Sequence, residues 1–126
     1  MLMAKISFND RVDVQFAVTE LKMQRNGWAN DIREAWQAGM LGSKEILYEL
    51  YEVSGVIILA IENCAAGNGR DKMALHMTLK KLQNLVDSKE FKAFVEMTDL
   101  GMARVVSKRS RETIRKMFDY LEVLTK

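Results

Sequence analysis

Ser110-Arg111-Glu112-Thr113-Ile114-Arg115-Lys116-Met117-Phe118-Asp119-Tyr120-Leu121 is the stretch on which the reading of this chain turns. Ile114, Met117, Phe118 and Leu121 recur at three and four residues, so one side of a helix is apolar while the other carries Arg111, Glu112, Arg115 and Lys116. Ser110 is of the type that caps a first turn, because its hydroxyl oxygen accepts a backbone N–H that the helix cannot satisfy internally. The segment therefore reads as a helix that starts at Ser110 and buries its second half.

The residues just before it decide how the chain ends. Leu100-Gly101-Met102-Ala103-Arg104-Val105-Val106-Ser107-Lys108-Arg109 offers a shorter helix, with Ala103 as a small contact residue and Val106 as an apolar position. Ser107 competes locally for backbone hydrogen bonds, so Ser107 to Arg109 are expected to form a turn. The alternative is one amphipathic helix from about Met102 to Leu124. A short helix, a tight turn and a second helix with polar side chains in its first turn are the parts of a helix-turn-helix.

The run Ser110-Arg111-Glu112-Thr113-Ile114 resembles the start of the recognition helix in the catabolite-activator family of bacterial transcription regulators. Lys116 stands near the position where that family places another base-contacting residue. The resemblance spans residues 100–121; the turn is one residue longer than the family's, and Ser107 or Lys108 replaces its usual glycine. Up to Lys126 there is neither a β-wing nor a cyclic-nucleotide domain. The resemblance implies a double-stranded DNA partner, with Arg104, Lys108, Arg109 and Arg115 neutralising phosphates, and Ser110, Arg111, Glu112 and Lys116 turned toward base edges. A lone helix-turn-helix gains affinity and site length by pairing, so a homodimer is compatible with it.

Composition frames the rest. A chain of 126 residues, 48% hydrophobic and 29% charged, fits one domain. It has no proline, and its seven glycines fall mostly between periodic segments, which favours helix throughout. Cys64 is the single cysteine and cannot form an internal disulfide, and no signal-peptide pattern opens the chain; the expected location is cytoplasmic. The longest apolar run, Val53 to Ile61, is flanked by Glu49, Glu52 and Glu62 and is far shorter than the roughly 20 residues of a membrane span. Charge is uneven: residues 1–60 hold 6 basic and 8 acidic side chains, a net of −2, whereas residues 61–126 hold 13 and 9, a net of +4. The positive field gathers near the C-terminus.

Along the chain, a first helix is expected from Asn9 or Asp10 to Asn26, ended by Gly27. A short second helix follows Asn30, with Trp36 on its inner face, and Gly39 and Gly42 stop it. The third, about 43–65, is apolar all round in its second half and should be a central post. The fourth covers about 71–86, Asp87 and Ser88 cap a fifth, and residues 100–126 make one helix or two. The fold class is all-α, a bundle of five or six helices ending, on the first reading, in a helix-turn-helix. Leu50, Val53, Ile57, Leu79, Leu82 and Phe118 form its expected core.

Catalytic signatures are sparse. His76 is the only histidine, and its spacing from Asp71 and Cys64 matches neither a zinc pattern nor a carboxylate di-metal bundle. Gly67-Asn68-Gly69-Arg70-Asp71-Lys72 lacks the spacing of a phosphate loop. Glu45, Glu49 and Glu52 share one helix face, as a solvated or ion-paired stripe does. Trp28 and Trp36 are expected to close the core. No cofactor and no enzymatic activity are expected. Two readings remain: a small DNA-binding regulator, or a helical adaptor or inhibitor meeting an acidic protein surface through the basic C-terminal face.

Overall fold

The computed structural model describes residues 6–37, 39, 41–93 and 104–126, with the side chains of 35, 41–44 and 104–108 left out of the description. The chain is an all-α helical bundle, 84% helical, and no strand occurs among the described residues. Its helices are α1 (Arg11–Gln37), α2 (Leu41–Ala65), α3 (Lys72–Val86), α4 (described over 89–93) and α5 (Arg104–Leu124).

The helix starts follow local chemistry. Asp10 Oδ1 accepts the backbone N–H groups of Val12 at 2.8 Å and Asp13 at 3.2 Å, satisfying donors the first turn leaves open. Asp71 does the same for Ala74 at 3.1 Å, and Ser88 Oγ for Phe91 at 3.1 Å. At the end of α2, Gly67 takes φ +78°, its N–H donates to Cys64 O at 3.1 Å, and Asn68 N–H donates to Asn63 O at 2.9 Å. This paired closure needs a left-handed residue, and glycine supplies it without a Cβ penalty.

The first helix does not end at Gly27. It runs on to Gln37, and the left-handed residue is Gly39, at φ +73°. A glycine inside a helix costs about 1 kcal/mol relative to alanine. Gln24 and Trp28, on either side of it, are buried and hydrogen-bonded to α5, which offsets that cost. Gly42, expected to act as a stop, lies within α2.

α1 and α2 form an antiparallel pair with the most extensive contact in the bundle. Arg25 clamps it: its Nε donates to Tyr51 O at 3.2 Å and its guanidinium lies 3.7 Å from the Tyr51 ring centroid. α5 packs on α1, α2 and α3, and α3 packs on α2 and α5. α1 and α3 do not touch among the described residues, so they occupy opposite corners.

The core holds Trp28, Leu21, Leu50, Val53, Ile57, Ile61, Leu82, Met117, Leu121 and Leu124. Four of the six expected core residues are there; Leu79 and Phe118 pack against it half-buried. Two further expectations fail. Val56 and Leu59 are exposed, so α2 is a wall with an outer side rather than an enclosed post. Trp36 is 61% exposed near the end of α1, beyond the reach of the core that swallows Trp28.

Candidate interaction face

α5 is continuous from Arg104 to Leu124, so the turn expected at Ser107 to Arg109 is absent and the bundle does not end in a helix-turn-helix. The reason lies in α1. Ser110 is 2% exposed, and its hydroxyl oxygen receives Trp28 Nε1–H at 2.8 Å and Gln24 Nε2–H at 3.3 Å. An oxygen engaged across the bundle is not capping its own helix, and tertiary packing overrides the local preference of serine for a first turn. Thr113 Oγ1 extends the cluster by donating to Gln24 Oε1 at 3.4 Å. Among the described residues no buried side-chain polar atom lacks a partner.

The cluster sorts the residues that the sequence singled out. Ser110, Thr113 and Ile114 face inward. Arg109, Arg111, Glu112 and Arg115 are exposed. Lys116 is half-buried: its Nζ lies 2.7 Å from Glu20 Oε1 and 5.6 Å from the Phe16 ring centroid. Arg104 and Lys108 have side chains outside the described residues. The helix thus sets Arg111 and Arg115 on its outer arc, away from Ser110, whereas Arg109, two residues from Arg111 and so on nearly the opposite side, borders the groove with α1.

Arg109, Glu112, Thr113 and Lys116 face Glu20, Met23, Gln24 and Gly27 across a groove of about 410 Å³. Its rim carries both signs of charge above the polar floor of Gln24 and Thr113. Further along α5, burial raises the Asp119 carboxyl above the usual range, Glu122 adds to the rise, and Arg115 opposes it. Burial, then Glu20 and Asp119, pushes the Tyr120 phenol up to about 12; its ring packs edge-on against Phe8, with centroids 5.9 Å apart.

Sequence reasoning missed the surface beside this groove. Val12, Phe16 and Met23 share one side of α1 and are 73%, 64% and 64% exposed. They fall four and seven residues apart, a spacing masked in the sequence by the stronger inward series Val14, Ala17, Val18 and Leu21.

The remaining candidates stay apart. His76 is exposed on α3, and Cys64 is half-buried with Sγ 3.4 Å from Arg70 Nη1. That arginine also holds the end of α5, donating to Leu124 O at 2.6 Å and Lys126 O at 3.2 Å. Glu49 sits 3.9 Å from Lys81, as expected of an ion-paired stripe. Among the described residues no group of His, Cys, Asp and Glu is placed to hold a metal ion, and no helix is long and apolar enough to cross a membrane. Comparison with protein-family models, curated proteins and solved structures finds no match to this chain.

Proposed function

We propose that this chain is a non-catalytic helical adaptor or inhibitor that meets an acidic protein surface with the outer arc of α5. The observation that carries the reading is the sorting of α5: Arg111 and Arg115 stand exposed on the outer side of one continuous helix, while Ser110, Thr113 and Ile114 are sealed against the bundle. Reading a base edge takes side chains at the start of a recognition helix that enters the major groove. Here Ser110, the first of those positions, is buried against α1, and it stands inside a helix that starts at Arg104 rather than at a helix start. Contact with an acidic protein takes only exposed cations and a rigid support, and arginine is the residue type enriched at such interfaces.

The test sets the two partner classes against each other at low salt. Purified protein is titrated into a labelled acidic helical peptide and, separately, into mixed-sequence duplex DNA. The reading expects peptide binding that weakens with salt and with Arg111→Glu and Arg115→Glu, and no retardation of DNA at about 10 µM protein, a concentration within the range of non-specific DNA binding. DNA retardation without peptide binding would reinstate the regulator. Binding to neither would refute the proposed role of the basic arc.

A further inference from the structure

We infer that Asn68–Gly69, in the loop between α2 and α3, is a site of spontaneous covalent modification, at which the asparagine loses ammonia and becomes a mixture of aspartate and isoaspartate. Asparagine is a labile residue, and it reacts fastest where the backbone nitrogen of the next residue can reach its side-chain carbonyl carbon. The Gly69 nitrogen gives its proton to solvent base and bonds to Cγ of Asn68. The bond from Cγ to the side-chain nitrogen breaks, and that nitrogen takes a proton from solvent and leaves as ammonia. The imide ring that remains takes up one water. Opening at one of its carbonyls gives aspartate; opening at the other gives isoaspartate, whose main chain is a methylene longer. Water is the only co-reactant, and nothing is oxidised or reduced.

The chain holds two Asn-Gly pairs, and the fold treats them oppositely. Asn26–Gly27 lies inside α1, where the helical ladder engages the Gly27 N–H and holds that nitrogen away from the Asn26 side chain. Asn68–Gly69 lies outside the helices, with both residues exposed. Among the described residues neither the Gly69 N–H nor the Asn68 side-chain amide has a hydrogen-bond partner. No atom stands within 4 Å of the place a Cβ on residue 69 would take, and glycine gives the attacking nitrogen the widest backbone range. The reacting bond also lies between two anchors. Asn68 N–H is tied to Asn63 O at 2.9 Å, and Arg70 is tied to Leu124 O at 2.6 Å and Lys126 O at 3.2 Å. An extra methylene between these anchors displaces Arg70 from the carbonyls it holds, so isoaspartate at residue 68 loosens the end of α5. The inference does not depend on the proposed role of the α5 arc.

The purified chain is aged in mildly alkaline buffer, folded and in urea, and its peptides are mapped by mass spectrometry. In the folded chain residue 68 should convert to aspartate and isoaspartate, and residue 26 at least about tenfold more slowly, because α1 must open before its amide can be attacked. In urea both pairs should convert at similar rates. Asn68→Gln should abolish conversion at residue 68, and Gly69→Ala, which fits the open space there, should slow it. Hydrogen exchange should show the amides of Thr125 and Lys126 less protected in the aged chain than in the fresh one. A folded chain that keeps its amide at residue 68 overturns the inference. So does conversion at residue 26 as fast as at residue 68, since the fold would then select nothing. Equal protection of aged and fresh chains overturns the link to the end of α5.

Discussion

Replacing Ser110 discriminates a buried tertiary acceptor from a helix cap more sharply than any other substitution in this chain. In Ser110→Ala the indole N–H of Trp28 and one amide N–H of Gln24 lose their acceptor at positions closed to water. An unpaired buried donor costs about 1–3 kcal/mol, and the better helix propensity of alanine returns roughly 0.5 kcal/mol. The expected net loss is about 0.5–2.5 kcal/mol, read by urea denaturation followed by far-UV circular dichroism. A lost cap costs about 1 kcal/mol as well, so alanine alone is ambiguous. Ser110→Asp is not. Aspartate caps as well as serine, so an exposed cap would tolerate the change. Where the side chain is enclosed by Trp28 and Gln24, an uncompensated carboxylate should cost about 3–5 kcal/mol. A double-mutant cycle with Trp28→Phe should return a coupling of about 1 kcal/mol for the Ser110–Trp28 hydrogen bond. Tolerance of aspartate, or a coupling near zero, would refute the placement of Ser110 and restore the turn before it.

Three further outcomes follow from the same structure. Ile57 is fully buried at the centre of α2, so Ile57→Ala should destabilise by about 2–5 kcal/mol in the same denaturation assay. The two glycines should respond with opposite signs: Gly27→Ala, in a helical position where a new Cβ meets Gln24 Nε2 at 3.4 Å, should stabilise by about 0.5–1 kcal/mol, whereas Gly67→Ala, at φ +78° in open space, should cost about 1 kcal/mol of backbone strain. Burial, with Glu34 adding to it, raises the Asp31 carboxyl from 3.8 to about 6. The folded state therefore holds that proton more tightly than the unfolded chain, and this stabilisation is complete below pH 3.8 and is lost as pH rises through about 6. Asp31→Asn should accordingly melt above the parent at pH 7 and lose that advantage by pH 4, and an equal difference at both pH values would contradict the shift.

Much of the fold was legible because it rests on local chemistry. Asp10, Asp71 and Ser88 cap helices where their residue types and positions say they should, and the apolar series of α2 and α5 marks most of the core. What the sequence misplaced was continuity. Gly27 and Ser107 to Arg109 both read as breaks, and both lie within unbroken helices. The two errors share a cause: Gln24 and Trp28 lie more than 80 residues from Ser110 and Thr113 in sequence, and the two pairs meet in one hydrogen-bonded cluster. Each half of that cluster, seen alone, has the residue types of a helix end. Only the opposite helix shows that the serine and the threonine are engaged and that the glycine has reason to stay helical.

The same cluster explains why the candidate site was half legible. Arginines at 109, 111 and 115 were identifiable as a basic group from charge alone, and all three are exposed, Arg111 and Arg115 on the outer side of α5 and Arg109 beside the groove with α1. Assigning them to a recognition helix required Ser110 to open that helix beside the same ligand, and the bundle uses its hydroxyl for its own closure. The apolar stripe of α1 escaped notice for the converse reason. Val12, Phe16 and Met23 are separated by intervals that a core-seeking reading fills with Ala17 and Leu21. Burial is what separates the two series: one side of α1 is consumed by α2 and α5, and the other is left with three large apolar groups in water.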